Sequence, residues 1–379
     1  MLDPRSFTIA IDSQRLERLK ARIIAYDWTA MPDLGGWAAG PPTSYMRALA
    51  ERWVDGYDWR EVEARRNRLP QFLADIDGQT IHYIHIRGSQ SDRPPLLLLH
   101  GWPGSVFEFE ETIEAIRRLD DSFDIIVPAM PGYGFSLPLH RPIGPRGTAR
   151  LLQSLMRGLG HARFMVQGGD WGSIIGAWIA YDQPEACIGI HLNMIPVHAA
   201  DVRPETEEEL AHAARRAVVN QIDEGYRIVH TTKPQSLCFA MADNPIGVAG
   251  WIIDKLASWS DLPRDAHGDP ILGARYDLDD VITFVMAYLV TPSFITSTWM
   301  YRGRLLENSS AFPAGTRIVP PLAAARFPDP AAPPPPRSII ARTYDIRQWT
   351  DFDRGGHFAA MEQPELFATD VVAFYRSLA

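Results

Sequence analysis

The chain has 379 residues, of which 46% are hydrophobic and 22% charged, so it can bury a sizeable core in one large domain or two smaller ones. Its net charge of −9 excludes the basic footprint expected of a nucleic-acid-binding protein. The two cysteines, Cys187 and Cys238, fit no metal spacing and are predicted to be buried free thiols in a reducing compartment. The N-terminus has no signal-peptide pattern and no run of ~20 apolar residues follows it, so we expect a cytoplasmic protein without a membrane segment.

Residues 1–70 are predicted to form a helical meander. Leu16, Leu19, Ile23 and Tyr26 fall on one helical face, with Asp12 or Ser13 available as the cap.

Strand patterns begin at residue 71 and continue to about 202. They are QFLADI, TIHYIHI, PPLLLLHG, FDIIVPAMPG, RFMVQGG and CIGIHLN, with helical patterns between the later ones. The unbroken leucine run 96–99 is typical of a strand that is buried on both faces. Strands that alternate with helices predict a mostly parallel central sheet flanked by helices.

The strand patterns stop between about 203 and 304, and this segment is predicted to be a helical lid inserted into the sheet domain. Strands return at TRIVPPL and DIRQWTDF, and the helix PELFATDVVAFYRSL ends the chain, so residues 305–379 are expected to complete the core. The segment FPDPAAPPPPRS is predicted to be a stiff surface loop.

The stretch QGGDWGS, residues 167–173, has the small-x-nucleophile-x-small spacing of a nucleophile elbow, with Asp170 at the nucleophile position. A strand precedes it and a helical pattern follows it. The helix N-terminus would favour a carboxylate there. Taken alone, the pattern is equally compatible with an aspartate that caps an ordinary turn.

Two further loops support the elbow. HGWPGS directly follows the leucine run, which is where an α/β-hydrolase fold supplies one oxyanion-hole N–H, here that of Trp102; the residue after the nucleophile, Trp171, supplies the other. His100 in this loop is predicted to be structural. The second loop, RGGHF, lies between the last strand and the last helix and would bring His357 to the elbow.

These motifs together resemble the epoxide hydrolases of the α/β-hydrolase superfamily, in particular the microsomal-type branch with an extra N-terminal domain. The resemblance runs from about residue 7 to the end and rests on FTIAIDSQRLERLKARI, HGWPGSVFEFE, PGYGFS, GGDWGS, GYRIVHTTKPQSL, STWMYRGRLLE and GGHFAAMEQPEL. It implies that an epoxide is opened by Asp170 to give a covalent ester, which is then hydrolysed by water that His357 activates.

The resemblance also implies that Tyr226 and Tyr301 protonate the opening ring. The family's Glu that orients the histidine falls on Pro330 here, which departs from the pattern, and the adjacent Asp329 is the predicted substitute. Asp329 could instead only begin a turn before Pro330.

Tyr133 and Phe135 in the GYGFS loop are expected to form a substrate wall, and Trp299 in the lid is a further predicted substrate contact. The tryptophans and methionines of the lid favour an apolar or aromatic epoxide. They are Trp251, Trp259, Met286, Trp299 and Met300. No cofactor or metal motif occurs, and the expected partner is a small epoxide, with no nucleic acid and no membrane. A homodimer is left open.

Two other functions stay open at this point. A dehalogenase also uses an elbow aspartate, and the indole N–H groups of Trp102 and Trp171 could hold a halide, but a leaving halide needs no tyrosine proton donors. A binding protein that traps a ligand without turnover is favoured only by the displaced acid. A serine esterase is disfavoured because the elbow carries no Ser at the nucleophile position.

Overall fold

Nine β-strands form one sheet within residues 2–90 and 92–378, the parts of the chain that the computed structural model describes. They are β1 (Arg5–Phe7), β2 (Gln71–Ile76), β3 (Gln79–Ile86), β4 (Leu96–Leu99), β5 (Ile125–Pro128), β6 (Phe164–Gly168), β7 (Cys187–Leu192), β8 (Ile318–Arg326) and β9 (Tyr344–Asp351). The strands predicted from residue 71 onward are therefore confirmed.

The same described residues contain sixteen α-helices. They are α1 (Ser13–Ile24), α2 (Thr43–Asp55), α3 (Trp59–Arg66), α4 (Glu110–Leu119), α5 (Pro145–Gly158), α6 (Asp170–Asp182), α7 (Glu207–Asp223), α8 (Gly225–Thr232), α9 (Pro234–Met241), α10 (Pro245–Trp259), α11 (Leu278–Leu289), α12 (Ser293–Ser297), α13 (Trp299–Glu307), α14 (Arg337–Ala341), α15 (Ala359–Glu362) and α16 (Pro364–Ser377).

The sheet has the strand order β1-β2-β3-β5-β4-β6-β7-β8-β9. The first four strands in this order pair antiparallel, and every pair from β5 to β9 is parallel. The run Leu96–Leu99 lies in the middle and is completely buried, as its sequence predicts. Because the carboxyl ends of the parallel strands meet at one edge, the loops that follow β4, β6 and β8 converge there. The α/β-hydrolase fold is thus confirmed.

The N-terminal segment differs from the prediction in one respect. It is not wholly helical, because Arg5–Phe7 pairs with Gln71–Leu73 as the edge strand. The polar sequence Arg-Ser-Phe carries no strand periodicity of its own, so only its pairing with β2 makes it a strand. Helix α1 has the predicted cap, in which the Asp12 carboxylate accepts the Gln14 N–H at 2.8 Å, and it buries Leu19 and Ile23.

Helices α7 to α13 lie between β7 and β8 and cover the carboxyl edge of the sheet. Helices α1 and α2 pack in turn against α10 and α11 of this insertion. The division of the chain at residues 70, 202 and 304 stays a prediction. Cys187 and Cys238 are buried and free, as predicted.

In the described part of the chain, no single helix is long and apolar enough to cross a membrane. One pair, Leu278–Leu289 with Ser293–Glu307, passes the length and composition test together but is bent by 82°.

Candidate active site

Asp170 lies at the sharp turn between β6 and α6. Its φ of +44° is in the left-handed region, which non-glycine residues rarely adopt, so the turn is strained. The turn needs small residues on both sides. A Cβ on Gly168 would collide with the backbone of Gly172, and a Cβ on Gly172 would collide with the carbonyl of Leu99 in β4. The strain and the two close approaches project the carboxylate beyond the sheet edge.

A backbone N–H group binds one oxygen of this carboxylate. The Trp102 N–H donates to Asp170 Oδ1 at 2.8 Å. The N–H of Trp171 belongs to the first turn of α6, where no carbonyl of the same helix can accept it. The two N–H groups expected to form an oxyanion hole therefore lie in the loop and helix turn that flank Asp170.

His357 faces the other oxygen. Its Nε2 atom lies 3.5 Å from Asp170 Oδ2, while its Nδ1 atom lies 2.8 Å from Asp329 Oδ2. The second oxygen of Asp329 accepts the N–H groups of Ala331 and Ala332 at 2.8 and 3.0 Å. Asp329 thus begins a turn at Pro330 and also reaches the histidine, so the two roles considered for it from the sequence occur together.

The charge state of His357 depends on both carboxylates. Burial opposes protonation of the ring, but Asp329 and Asp170 outweigh it and raise the pKa of His357 well above its ordinary value. The ring also packs against Trp259, with centroids 4.8 Å apart. The two carboxylates therefore favour the protonated form of the ring.

Two tyrosines of the lid pack on the tryptophans that flank the elbow, Trp102 and Trp171. The Tyr226 ring stacks on that of Trp102, with centroids 5.3 Å apart and planes 10° apart. The Tyr301 ring meets that of Trp171 edge-on at 4.6 Å. The tyrosine rings lie 5.8 Å from each other. Burial is the largest cause that raises the pKa of both hydroxyls, so both stay protonated and able to donate.

A cavity of about 260 Å³ opens between the lid and the elbow, and we call it the central cavity. Its lining includes Asp170, Trp171, His357 and the two lid tyrosines, and the remaining lining residues are Ile174, Met194, Pro196, Arg216, Val219, Asn220, Asp223, Glu224, Arg227, Trp259, Arg304, Ala331 and Ala332. The lining is aromatic at Trp171, Tyr226, Trp259 and Tyr301, and helices α7, α8 and α13 also add charged side chains.

The three residues predicted to contact the substrate do not line the central cavity. Tyr133 and Phe135 line a separate cavity, where Phe135 packs on Phe7 of β1. Trp299 lies two residues before Tyr301, and since each helical residue turns by about 100°, the two side chains point to different faces of α13. Among the five lid residues that suggested an aromatic substrate, only Trp259 reaches the cavity.

Behind the elbow is a smaller cavity of about 20 Å³, which we call the rear cavity. Its polar lining includes Asp170, His357, Glu108, Gln167 and Asn193. The Oε1 atom of Gln167 and the Nε2 atom of His357 are buried without a hydrogen-bond partner among the described residues. A polar cavity of this size holds about one water molecule.

Glu108 and Glu362 are site residues that the sequence reasoning missed. Burial raises the pKa of Glu108 to about 8 and that of Glu362 to about 7. Glu362 accepts the N–H groups of Asp261, Gly356 and Phe358, so it holds the loop that carries His357. The sequence did contain a signal for each residue. Glu108 lies three residues after Ser105, which is the spacing of a capping box, and Glu362 is the glutamate of GGHFAAMEQ, close to His357.

His100 is structural, as the sequence analysis predicted. Its Nδ1 atom lies 3.0 Å from the Gly101 carbonyl, and its Nε2 atom accepts the Met130 N–H at 3.1 Å. Both ring nitrogens thus make hydrogen bonds that stabilise the loop HGWPGS, which carries Trp102.

Fold and site together define an α/β-hydrolase-fold enzyme whose elbow carries a carboxylate in place of a serine. Comparison with known families agrees. Residues 4–109 match the epoxide hydrolase N terminus, and residues 94–246 match the alpha/beta hydrolase fold.

Similar proteins cover almost the whole chain. Juvenile hormone epoxide hydrolase 1 of Ctenocephalides felis is 31% identical over 97% of this chain and 84% of its own length. The structure of Aspergillus niger epoxide hydrolase is 30% identical, with a TM-score of 0.86, and covers 100% of this chain and 97% of that one. The structure of juvenile hormone epoxide hydrolase from the silkworm Bombyx mori gives a TM-score of 0.85 at 29% identity over 100% of this chain and 95% of that one.

The chain belongs to the epoxide hydrolase family. It is a hydrolase that acts on epoxides and converts them to diols.

Proposed function

We propose that the reaction proceeds through an ester on Asp170. Oδ2 of the carboxylate attacks a ring carbon of the epoxide, a new carbon–oxygen bond forms, and the carbon–oxygen bond of the ring breaks. The observation that carries this proposal is the placement of Asp170, whose Oδ1 accepts the Trp102 N–H while its Oδ2 faces the histidine and the central cavity. Attack by one oxygen leaves the other as the ester carbonyl.

The alkoxide that develops as the ring opens receives a proton from Tyr226 or Tyr301. Both hydroxyls belong to side chains that line the central cavity above Asp170, and their raised pKa values keep the proton in place until the alkoxide forms. Two donors on different lid helices allow either ring carbon to be the point of attack.

Water then hydrolyses the ester. His357 first passes its proton to the tyrosinate that ring opening leaves. Its Nε2 atom then takes a proton from a water molecule, the resulting hydroxide adds to the ester carbonyl, and the N–H groups of Trp102 and Trp171 stabilise the oxyanion. Collapse of the tetrahedral intermediate releases the diol and restores the carboxylate with one oxygen from water. The rear cavity supports this step because it joins Asp170 and His357 to Glu108 in a space that fits one water.

The substrate places its epoxide against the aromatic part of the lining, where Trp259 and the two tyrosines supply apolar contact. This supports an apolar or aromatic group next to the ring. A cytoplasmic location and a homodimer stay predictions.

The test is intact-protein mass spectrometry of wild type and His357→Gln after mixing with styrene oxide, together with a diol assay. We expect wild type to produce diol and the variant to gain one substrate mass on Asp170. Diol formation without an adduct in the variant, or an adduct on another residue, would exclude the proposed ester.

One observation favours a second candidate, dehalogenation. The indole Nε1 atoms of Trp102 and Trp171 are buried without a partner within the described residues, as a halide clamp would require. The two lid tyrosines have no role in that reaction, because a halide leaves without a proton. Halide release from a panel of chloroalkanes, in the absence of epoxide turnover, would favour this candidate.

A further inference from the structure

The lid side of the central cavity carries more positive charge than its acidic residues balance. Arg216 of α7, Arg227 of α8 and Arg304 of α13 line it, together with Asp223 and Glu224. A solvated helix face would carry such charges outward, but these five side chains border the space above the nucleophile.

The acidic residues already have partners. Asp223 forms an ion pair with Lys255 and accepts the Trp259 indole N–H, and Glu224 forms an ion pair with Arg227. Arg216 and Arg304 take part in no ion pair within residues 2–90 and 92–378. Among the described residues, the only carboxylates that act on these two cations are those of the site residues Asp329 and Asp170, and neither is in direct ion-pair contact with them.

Both unpaired guanidinium groups are largely buried. The Nε atom of Arg304 is buried and has no hydrogen-bond partner in the described chain, and its guanidinium lies 5.9 Å from the centre of the Trp171 ring. Arg216 donates one N–H to the Ala331 carbonyl at 3.0 Å, and its other donors have no acceptor among the described residues. Burial is the main cause that lowers the pKa of each, but arginine stays charged in proteins.

A buried cation without a partner is unfavourable, and an anion that enters the cavity removes this cost. The planar fork of a guanidinium group matches a carboxylate, with which it forms two parallel hydrogen bonds. We propose that the substrate is an epoxide that also bears a carboxylate, held by Arg304 and Arg216 while the epoxide lies against Asp170 and the lid tyrosines. The proposal deepens the proposed function and rests on it.

The test compares terminal epoxides whose carboxylate ends a short, medium or long methylene chain with the methyl esters of the same compounds. The readout is the ratio of kcat/KM for the acid to kcat/KM for its ester. We expect wild type to favour the acid at one chain length at least, and Arg304→Gln to lower that ratio by roughly 10- to 100-fold. Added salt should lower kcat/KM for the acid and not for the ester.

Arg302→Gln is the matched control, because it removes the same charge from the same helix at a residue that does not line the cavity. Its ratio should stay within about 2-fold of wild type, as for a surface charge. Arg304→Lys keeps the charge without the fork and should give an intermediate ratio. Arg216→Gln should also lower the ratio, although its bond to Ala331 means that kcat can change as well.

Each outcome bears on the proposal. A wild-type enzyme that hydrolyses the esters as well as the acids at every chain length overturns it. So does a preference for the acid that persists in both Arg304→Gln and Arg216→Gln. Absence of turnover for all compounds, with no adduct on Asp170, would instead overturn the proposed function. Turnover of esters without a preference for acids overturns the carboxylate proposal alone.

Discussion

Replacement of Asp329 by Asn tests the arrangement around His357 most directly. An asparagine side chain keeps the size of the residue and an oxygen that can accept the N–H groups of Ala331 and Ala332, so the turn at Pro330 is retained. Its NH₂ group would then face Nδ1, which lies 2.8 Å from Asp329 Oδ2 in the structure. The histidine would have to accept there and carry its proton on Nε2, the nitrogen that must act as the base.

The substitution is expected to slow ester hydrolysis and to leave ester formation nearly unchanged. Loss of a general base slows a reaction by about 10²–10⁴-fold, which corresponds to about 3–5 kcal/mol at 1.36 kcal/mol per factor of ten. Ester hydrolysis needs the base and should slow by this amount. Ester formation needs only Asp170 and the tyrosines and should change by less than about 3-fold, an allowance for the altered local field.

The assay is rapid quench with styrene oxide followed by intact-protein mass and diol quantification. Asp329→Asn should show a burst of ester equal to the enzyme concentration and then slow diol release. Asp345→Asn removes an acid that pairs with Arg347 at the protein surface and should behave as wild type. Unchanged steady-state turnover in Asp329→Asn, or loss of the burst itself, would refute the reasoning.

Three further outcomes follow from the geometry. Tyr226→Phe and Tyr301→Phe should each slow ester formation at least about 10-fold, and together by about 10²–10⁴-fold, without slowing hydrolysis of preformed ester in a single-turnover assay. Gly172→Ala should destabilise the fold by about 1–3 kcal/mol in urea, because its Cβ meets a backbone carbonyl. Glu362→Gln should change the pH dependence of stability. Burial raises the pKa of Glu362 from 4.5 to about 7, so between these pH values the native state retains a proton that the unfolded chain releases. The free energy of unfolding of wild type should therefore fall by up to about 3 kcal/mol as the pH rises from 4.5 to about 7. The variant should lack this loss in urea titrations from pH 4 to pH 8.

Each of these outcomes has a control or a contradicting result. Gly273→Ala should change stability by less than about 0.5 kcal/mol, because no atom lies within 4 Å of its added Cβ. Equal pH slopes in wild type and Glu362→Gln would show that this carboxyl is not buried as a neutral group. Normal ester formation in the double tyrosine variant would assign the proton transfer to another donor.

The sheet was predictable from residue 71 onward because its strands are strongly patterned. The run Leu96–Leu99 is typical of a strand buried on both faces, and it lies in the middle of the sheet. The short strand Arg5–Phe7 was not predictable, because three residues without alternation become a strand only when β2 supplies the pairing. The elbow was predictable because its glycines are required by backbone approaches within 3 Å that no larger residue would allow.

The surroundings of the elbow were less predictable. Trp299 and Tyr301 lie two residues apart, and the sequence does not say which of the two faces the cavity. Arg216 and Arg304 occupy helical positions where a charge usually faces water, so their orientation toward the cavity depends on how the lid docks on the sheet. The bond from Asp329 to His357 depends on the path of the loop through Pro330, which no pattern of residue types encodes.

The position of His357 between two carboxylates has a consequence for the order of events. In the free enzyme, Asp329 and Asp170 both hold the proton on the imidazole, so the ring is a poor base. Once Asp170 has become a neutral ester, one of these two charges is gone and the pKa of the histidine must fall. Formation of the ester on Asp170 therefore turns His357 into a better base, and this is the base that hydrolysis of the same ester requires. The first step of the reaction thus sets the timing of the second without any movement of the chain.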